Sequence, residues 1–477
     1  MRRLPPLAVV VLLVLAAGSG RTSEGMLTRQ GGDWTRFGYD AARSSSGPSR
    51  TGITAANVAR LRRQRVLLDG TVDSSAIYLR TVRVAGLVRD AFFVTTSYGK
   101  TLAIDASTGR IAWEFTPKGY AGWAGTSGIT NATPVADPSR RFVYSASPDG
   151  RLHKLSVASG REAPGWPVAI TRLPSREKIG PALNYARGLV LAATGGYVGD
   201  APPYQGHVVA VRAESGRTMV VWNSLCSDRA GLLDPSSCPE SGSAIWARSG
   251  VVVDRATGNL LFATGDGKFD GKRYWGDSVL MLNPLATRLL QNWTPTNQVE
   301  LETRDVDLGS TAPALLGSGL AVQSGKDGIL RLLDLARLNG RGGTGPVTGG
   351  ELQTIRLSDA LFSAPAVWRD ARRTWLFVST FSTTRAFRLA GRRLHAVWTK
   401  PIAGTSPVVA GGLLYVYDPG GSGLGVYAPR TGRLVVRLPA GAGHWNSPIV
   451  TDGRIALPEG SANEHARSGV LDVYRLP

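Results

Sequence analysis

The chain has 477 residues, 43% of them hydrophobic and 19% charged, with 59 glycines and 28 prolines spread along it. That length can bury a large core, and turn-formers distributed in this way exclude a helical bundle and imply many short strands. The formal charge of +20 comes from 55 basic residues, only eight of them lysine, against 35 acidic ones. The arginines are scattered, densest at Arg60, Arg62, Arg63 and Arg65 and again at Arg369, Arg372 and Arg373. No aromatic-interleaved basic stripe accompanies them, so they read as a solvated surface and not as a nucleic-acid interface.

Taken in order, the chain opens with Arg2 and Arg3, an apolar run from Leu7 to Ala17 and small residues after it. This is the order of an export signal, expected to span residues 1–20, with a retained anchor as the alternative. The run is shorter than the roughly 20 residues that a spanning helix needs, and no other stretch approaches that length, so no transmembrane domain is expected once the signal is removed. Residues 21–50 read as a polar segment and 51–477 as a single all-β domain. Cys226 and Cys238, the only cysteines, share one loop-like stretch and are expected to be bonded in an exported chain.

From Thr101 onward a unit repeats: an apolar strand, a tight turn, and an outer strand that often ends in tryptophan. The copies are TLAIDASTGRIAWEF (101–115), RLHKLSVASGREAPGW (151–166), HVVAVRAESGRTMVVW (207–222), SVLMLNPLATRLLQNW (278–293), ILRLLDLARLNG (329–340), TRAFRLAGRRLHAVW (384–398) and LGVYAPRTGRLVVRL (424–438). Spacings of about 40 to 70 residues fit the four-stranded blades of a propeller. An eighth copy begins at GVLDVYRLP and lacks an outer strand, which the orphan strand Leu61 to Leu68 is expected to supply. The fold class is therefore an all-β, eight-bladed β-propeller of four-stranded antiparallel blades, closed by its N- and C-terminal strands. The recurring Trp113, Trp166, Trp222, Trp293 and Trp398 are expected to pack between blades.

Between Gly242 and Asp334 the pattern carries chemistry as well as structure. GSAIWA (242–247) offers a flat indole at Trp246, and carboxylates fall at strand-to-loop junctions at Asp266, Asp277, Asp305 and Asp307. SGKDG (324–328) adds the ammonium of Lys326. An indole, several carboxylates and one ammonium suit a planar polyanion or a hard cation, while Asp followed by Gly or Ser also serves as an ordinary turn residue. The five histidines, His153, His207, His395, His444 and His465, show no metal-ligand spacing.

The repeat and the motifs GSAIWA, ATGDG, YWGDSVLML, DVDLGS and SGKDG, in this order, resemble the PQQ-repeat, quinoprotein alcohol dehydrogenase-like propellers. The resemblance implies that Trp246 is the floor beneath a PQQ cofactor, that Lys326 contacts the quinone oxygens and that Asp305 is the catalytic aspartate, with Arg304 where a tryptophan is usual. It implies that Asp266 stands where an asparagine ligand of calcium is common. The family's calcium-binding glutamate has no counterpart in AATGGYVGDAPPY, where Asp200 is the nearby carboxylate, and the adjacent cysteine pair of many such enzymes is missing. Three functions follow as expectations. The first is an exported, monomeric propeller that binds a ligand or an envelope protein through one face of its disc. The second is a PQQ- and calcium-dependent dehydrogenase acting on a small-molecule alcohol, and the third is an envelope assembly scaffold.

Overall fold

In the computed structural model, which describes residues 31–477, strands dominate and the two α-helices are short, Tyr120–Trp123 and Gln298–Thr303. The expected signal at residues 1–20 lies outside the described residues. Among the described residues no helix is long and apolar enough to cross a membrane. Eight four-stranded antiparallel sheets follow one another as blades, each threaded from its innermost strand at the axis to its outermost. Blade 1 holds Ile77–Val84, Leu87–Thr95, Thr101–Asp105 and Ile111–Phe115, and the series runs on to blade 7, which ends with Arg433–Leu438.

Blade 8 takes three strands from the C-terminus, Ile449–Thr451, Arg454–Glu459 and Gly469–Arg475, and its outer strand from the start of the domain. Arg62–Leu68 pairs antiparallel with Gly469–Arg475, from Arg62↔Arg475 to Leu68↔Gly469. The expected closure is thus present, and it pairs the strand edge that each terminus would otherwise leave open. Arg63 reinforces it across the sheet, with Nε 2.8 Å from Asp472 and Nη2 2.9 Å from Glu459.

The recurring tryptophans do pack between blades. Trp113 donates from its indole to the Val157 carbonyl at 2.9 Å, and Trp398 does the same to Pro429 at 3.0 Å. Trp222 meets Phe262 of blade 4 with ring centroids 5.2 Å apart. Cys226 and Cys238 form a disulfide, packed with Leu225, Leu233 and Tyr274 in a small buried cluster.

Residues 31–52 run across the axis at one face of the disc and bond to successive innermost strands. Trp34 exchanges two backbone bonds with Tyr78, the Thr35 carbonyl accepts from Ala136, and the Ala41 carbonyl from Val253. The carbonyls of Ser44, Ser45 and Thr51 accept from Val367, Val409 and Gly453, while Arg43 donates to the Ala182 and Leu183 carbonyls. Inner strands of a ring present unpaired amides toward the axis, and this segment satisfies one or two of them in each of blades 1, 2, 4, 6 and 7.

Because the strands alternate in direction, the hairpins joining strands one to two of each blade, and those joining strands three to four in blades 1 to 7, lie on the plugged face. The hairpins joining strands two to three and the blade-to-blade connections lie on the opposite face. All the chemistry-bearing residues between 242 and 328 reach that second face.

Candidate functional site

The site face carries a cavity of about 450 Å³ around the axis. Trp246 enters it from the connection between blades 3 and 4, Asp305 and Asp307 from that between blades 4 and 5, and Lys326 from a hairpin of blade 5. Glycines make the approach feasible: a Cβ on Gly265 would come 2.3 Å from Asp307 Oδ1 and 3.3 Å from the Trp246 indole nitrogen, so ATGDG admits little else before Asp266.

Asp266, Asp305 and Asp307 place carboxylate oxygens within 4.8 Å of one another. Asp307 Oδ1 also accepts from the Asp266 amide at 2.7 Å. Lys326 Nζ lies 2.8 Å from Asp305 Oδ1 and 2.5 Å from Asp307 Oδ2, and 5.8 Å from the centre of the Trp246 ring. Burial, then Asp307, Asp200 and Asp305, pushes the Asp266 carboxyl up to about 8. Burial alone would lower the Lys326 ammonium, but Asp307 and Asp305 outweigh it and raise it instead. Four acids and one ammonium leave this pole short of positive charge, as a hard-cation site requires.

The opposite wall is basic. Arg248 is lowered to about 10 by burial and Lys178 to about 8 by burial and by Arg248. Arg248 sits 5.4 Å above the Trp445 ring and 3.8 Å from Asp73, and Lys178 lies 5.8 Å from the Tyr197 ring. Between the poles stands an aromatic wall in which Phe362 lies 6.2 Å from Trp246, 5.4 Å from Trp445 and 5.5 Å from Phe381.

The structure therefore brings Trp246, Asp266, Asp305 and Lys326 together. Asp200 lines the same cavity but stays outside the three-carboxylate cluster; burial raises it first, and Asp307 and Asp305 next. Asp277 is not a wall of the cavity. It is buried, accepts from the Leu308 amide at 2.9 Å and so pins the DVDLGS loop, and burial raises its carboxyl strongly.

Sequence reasoning did not single out Asp307 as a ligand, nor Arg248, Lys178, Phe362 and Trp445. A signal for some of them was present. Innermost strands are preceded by a short motif ending in proline, as in NATP (131–134), FSAP (362–365) and WNSP (445–448), and the residue three before the proline faces the axis.

Comparison with known proteins bears on the family and the fold. A family model described as outer membrane protein assembly factor BamB matches residues 73–336. The dehydrogenase subunit of the quinone alcohol dehydrogenase of Acetobacter aceti is 27% identical over 213 residues, 42% of this chain and 27% of that subunit. Its counterpart in Gluconobacter oxydans is 28% identical over 139 residues, 28% of this chain and 17% of the subunit. The match thus spans well under a third of these relatives' own length. In fold, the quinohemoprotein alcohol dehydrogenase of Comamonas testosteroni superposes with a TM-score of 0.68 at 16% identity, over 93% of this chain and 80% of that one. A europium-containing methanol dehydrogenase gives 0.66 at 16% identity over 93% and 98%, and BamB of Moraxella catarrhalis 0.54 at 14% over 87% and 99%. The chain belongs to the PQQ-repeat propeller family, the one whose model carries the BamB description.

Proposed function

We propose that the site face binds a planar, polyanionic quinone of the PQQ type together with a hard cation, and that the protein oxidises an alcohol there. One observation carries the reading: three carboxylates converge within 4.8 Å beside an indole, across one cavity from two basic side chains. The residues fit such a pair of groups. The acidic pole suits a cation held by oxygen ligands, and Lys178 and Arg248 suit the carboxylates of the ring system at its other end. A cavity of about 450 Å³ falls within the roughly 300–1,000 Å³ usual for cofactor sites.

When bound, the quinone supplies the two-electron acceptor. The chain's own work is binding, orientation and proton handling. Trp246 offers a flat face, Asp266 and Asp307 hold the cation, and Lys326 fixes Asp305 through its 2.8 Å contact. Asp305, whose side chain is 67% exposed, accepts the proton of the substrate hydroxyl. Phe362 and Trp445 exclude water from that wall.

The reading includes export, supported by the Cys226–Cys238 bridge. The test is calorimetry and thermal melting with PQQ plus calcium or europium, followed by dye-linked alcohol oxidation. Saturable heat, a raised melting temperature and turnover are expected. No heat with PQQ at any cation concentration would end this reading and leave a propeller that docks a protein through the same face.

A further inference from the structure

The face opposite the cavity carries a feature that the site does not use. In four blades the hairpin to the outer strand is one repeated turn, closed by bonds of 2.9 Å from the amides of Asp105, Ser156, Arg212 and Asn283 to the carbonyls of Arg110, Arg161, Arg217 and Arg288. The same place in the repeat is taken by Arg393, Arg433 and Arg62, the first residues of the outer strands of blades 6, 7 and 8. All seven are exposed, and none of their guanidinium groups forms an ion pair with another described residue. What looked scattered in sequence is one arginine in seven of the eight blades, blade 5 excepted, on a single rim of the disc.

Three of the neighbouring acids are already paired with other arginines, while Glu214, in the turn of blade 3, is exposed beside Arg217. Asp105 is tied to Arg89 at 2.9 Å, Asp334 to Arg392 at 2.7 Å and Asp370 to Arg430 at 3.0 Å. Apolar side chains share the rim: Leu87 and Val88, each 62% exposed, sit in the hairpin of blade 1, Leu285 in that of blade 4 and Leu434 beside Arg433. The plug also begins here, since Gly32 donates to Thr451 Oγ1 at 3.2 Å beside the first hairpin of blade 8.

We infer that the arginine-ringed face docks flat on an anionic lipid surface, leaving the cavity face turned away from it. Charge complementarity selects a polyanion. The interspersed leucines and valine select a bilayer interface over a soluble polymer, because apolar side chains among basic ones gain from entering the headgroup boundary only where acyl chains lie beneath. The spread of the arginines over seven of the eight blades distributes the contacts over a plane, which suits a flat partner and not a single groove-bound chain.

The experiment is co-sedimentation of the full chain with vesicles of phosphatidylcholine alone or mixed with phosphatidylglycerol, beside retention on dextran sulfate. Expected are binding that needs phosphatidylglycerol and falls steeply with salt, a loss of tenfold or more when Arg110→Gln, Arg217→Gln, Arg288→Gln and Arg433→Gln are combined, and a several-fold loss for Leu87→Ser with Val88→Ser. Unaltered melting would show that the substitutions leave the fold intact, and the salt and lipid dependence of the parent stands without them. Equal binding to both vesicles, a quadruple variant within twofold of the parent, or retention on dextran sulfate without vesicle binding would each overturn the inference.

Discussion

Asp73 lies 2.8 Å from the Nδ1 of His444, although 371 residues separate them, and its carboxylate is 1% exposed. The same group accepts from the amides of Trp445 and Ala462 at 2.8 and 3.1 Å and from the Asn131 side chain at 3.0 Å. Arg248 stands 3.8 Å away. One carboxylate thus ties blade 8, the first blade-to-blade connection and the basic wall of the cavity to the start of blade 1.

Replacing it should be costly. Asp73→Asn removes the charge opposite Arg248 and leaves amide donors short of an acceptor, at about 2–3 kcal/mol. Burial alone would raise this carboxyl, but His444 and Arg248 outweigh it and hold it below its ordinary value. A depressed folded value means that the ionised form favours folding. Its stabilisation is fully present above the ordinary carboxylate range and is lost as pH falls through the depressed value. Melting curves of parent and variant should therefore lie furthest apart near neutrality and converge below about pH 4; a gap independent of pH would contradict the account.

The closing strand pair offers a second test. Arg63 bridges Glu459 and Asp472, and Asp472 has no exposed surface. Arg63→Ala should cost roughly 3 kcal/mol by stranding buried acid charge, and deletion of residues 469–477 should cost far more by opening the ring. Denaturant unfolding measures both. A deletion that leaves solubility and melting unchanged would show that closure contributes little.

The plug supplies a third. Trp34 is 1% exposed, and a Cβ on Gly47 would come 2.4 Å from its ring, so the two define one packing point under the axis. Trp34→Ala should destabilise by about 3–5 kcal/mol, with little effect on ligand binding at the far face. A near-neutral result in thermal melting would reduce residues 31–52 to a surface strap.

How much of this was legible in sequence depends on how each feature is encoded. The blades were readable because the apolar strand, turn and terminal tryptophan recur, and blade 8 because GVLDVYRLP lacks a partner. Trp246, Asp266, Asp305 and Lys326 could be grouped because they come from one stretch of two adjoining blades. Arg248, Lys178 and Trp445 could not, since the ring brings them together across nearly 270 residues of sequence and each looks locally like a surface or core residue. The segment 21–50 was read only as polar because the role of its described part, from residue 31, is carried largely by backbone groups bonded to the inner strands of five blades, which leave no periodicity in side chains. The arginine at the turn was visible in six of the seven repeat copies, but its sidedness follows only once the strand directions are known.

The cavity's two poles should separate experimentally into binding and chemistry. Arg248→Met and Lys178→Met remove the cationic wall without touching the acids, so each should weaken PQQ binding about tenfold or more, with the loss shrinking as salt rises. Trp246→Ala removes the flat face and should weaken binding without altering that salt dependence. Asp305→Asn keeps size and position beside Lys326 yet cannot accept a proton, so it should retain cofactor affinity while turnover falls by two to four orders of magnitude. Titration calorimetry with PQQ and cation, run beside dye-linked turnover, distinguishes these classes. If Asp305→Asn turned over like the parent, the proton acceptor would have to be another carboxylate of the cluster, and Asp305 would be a ligand instead.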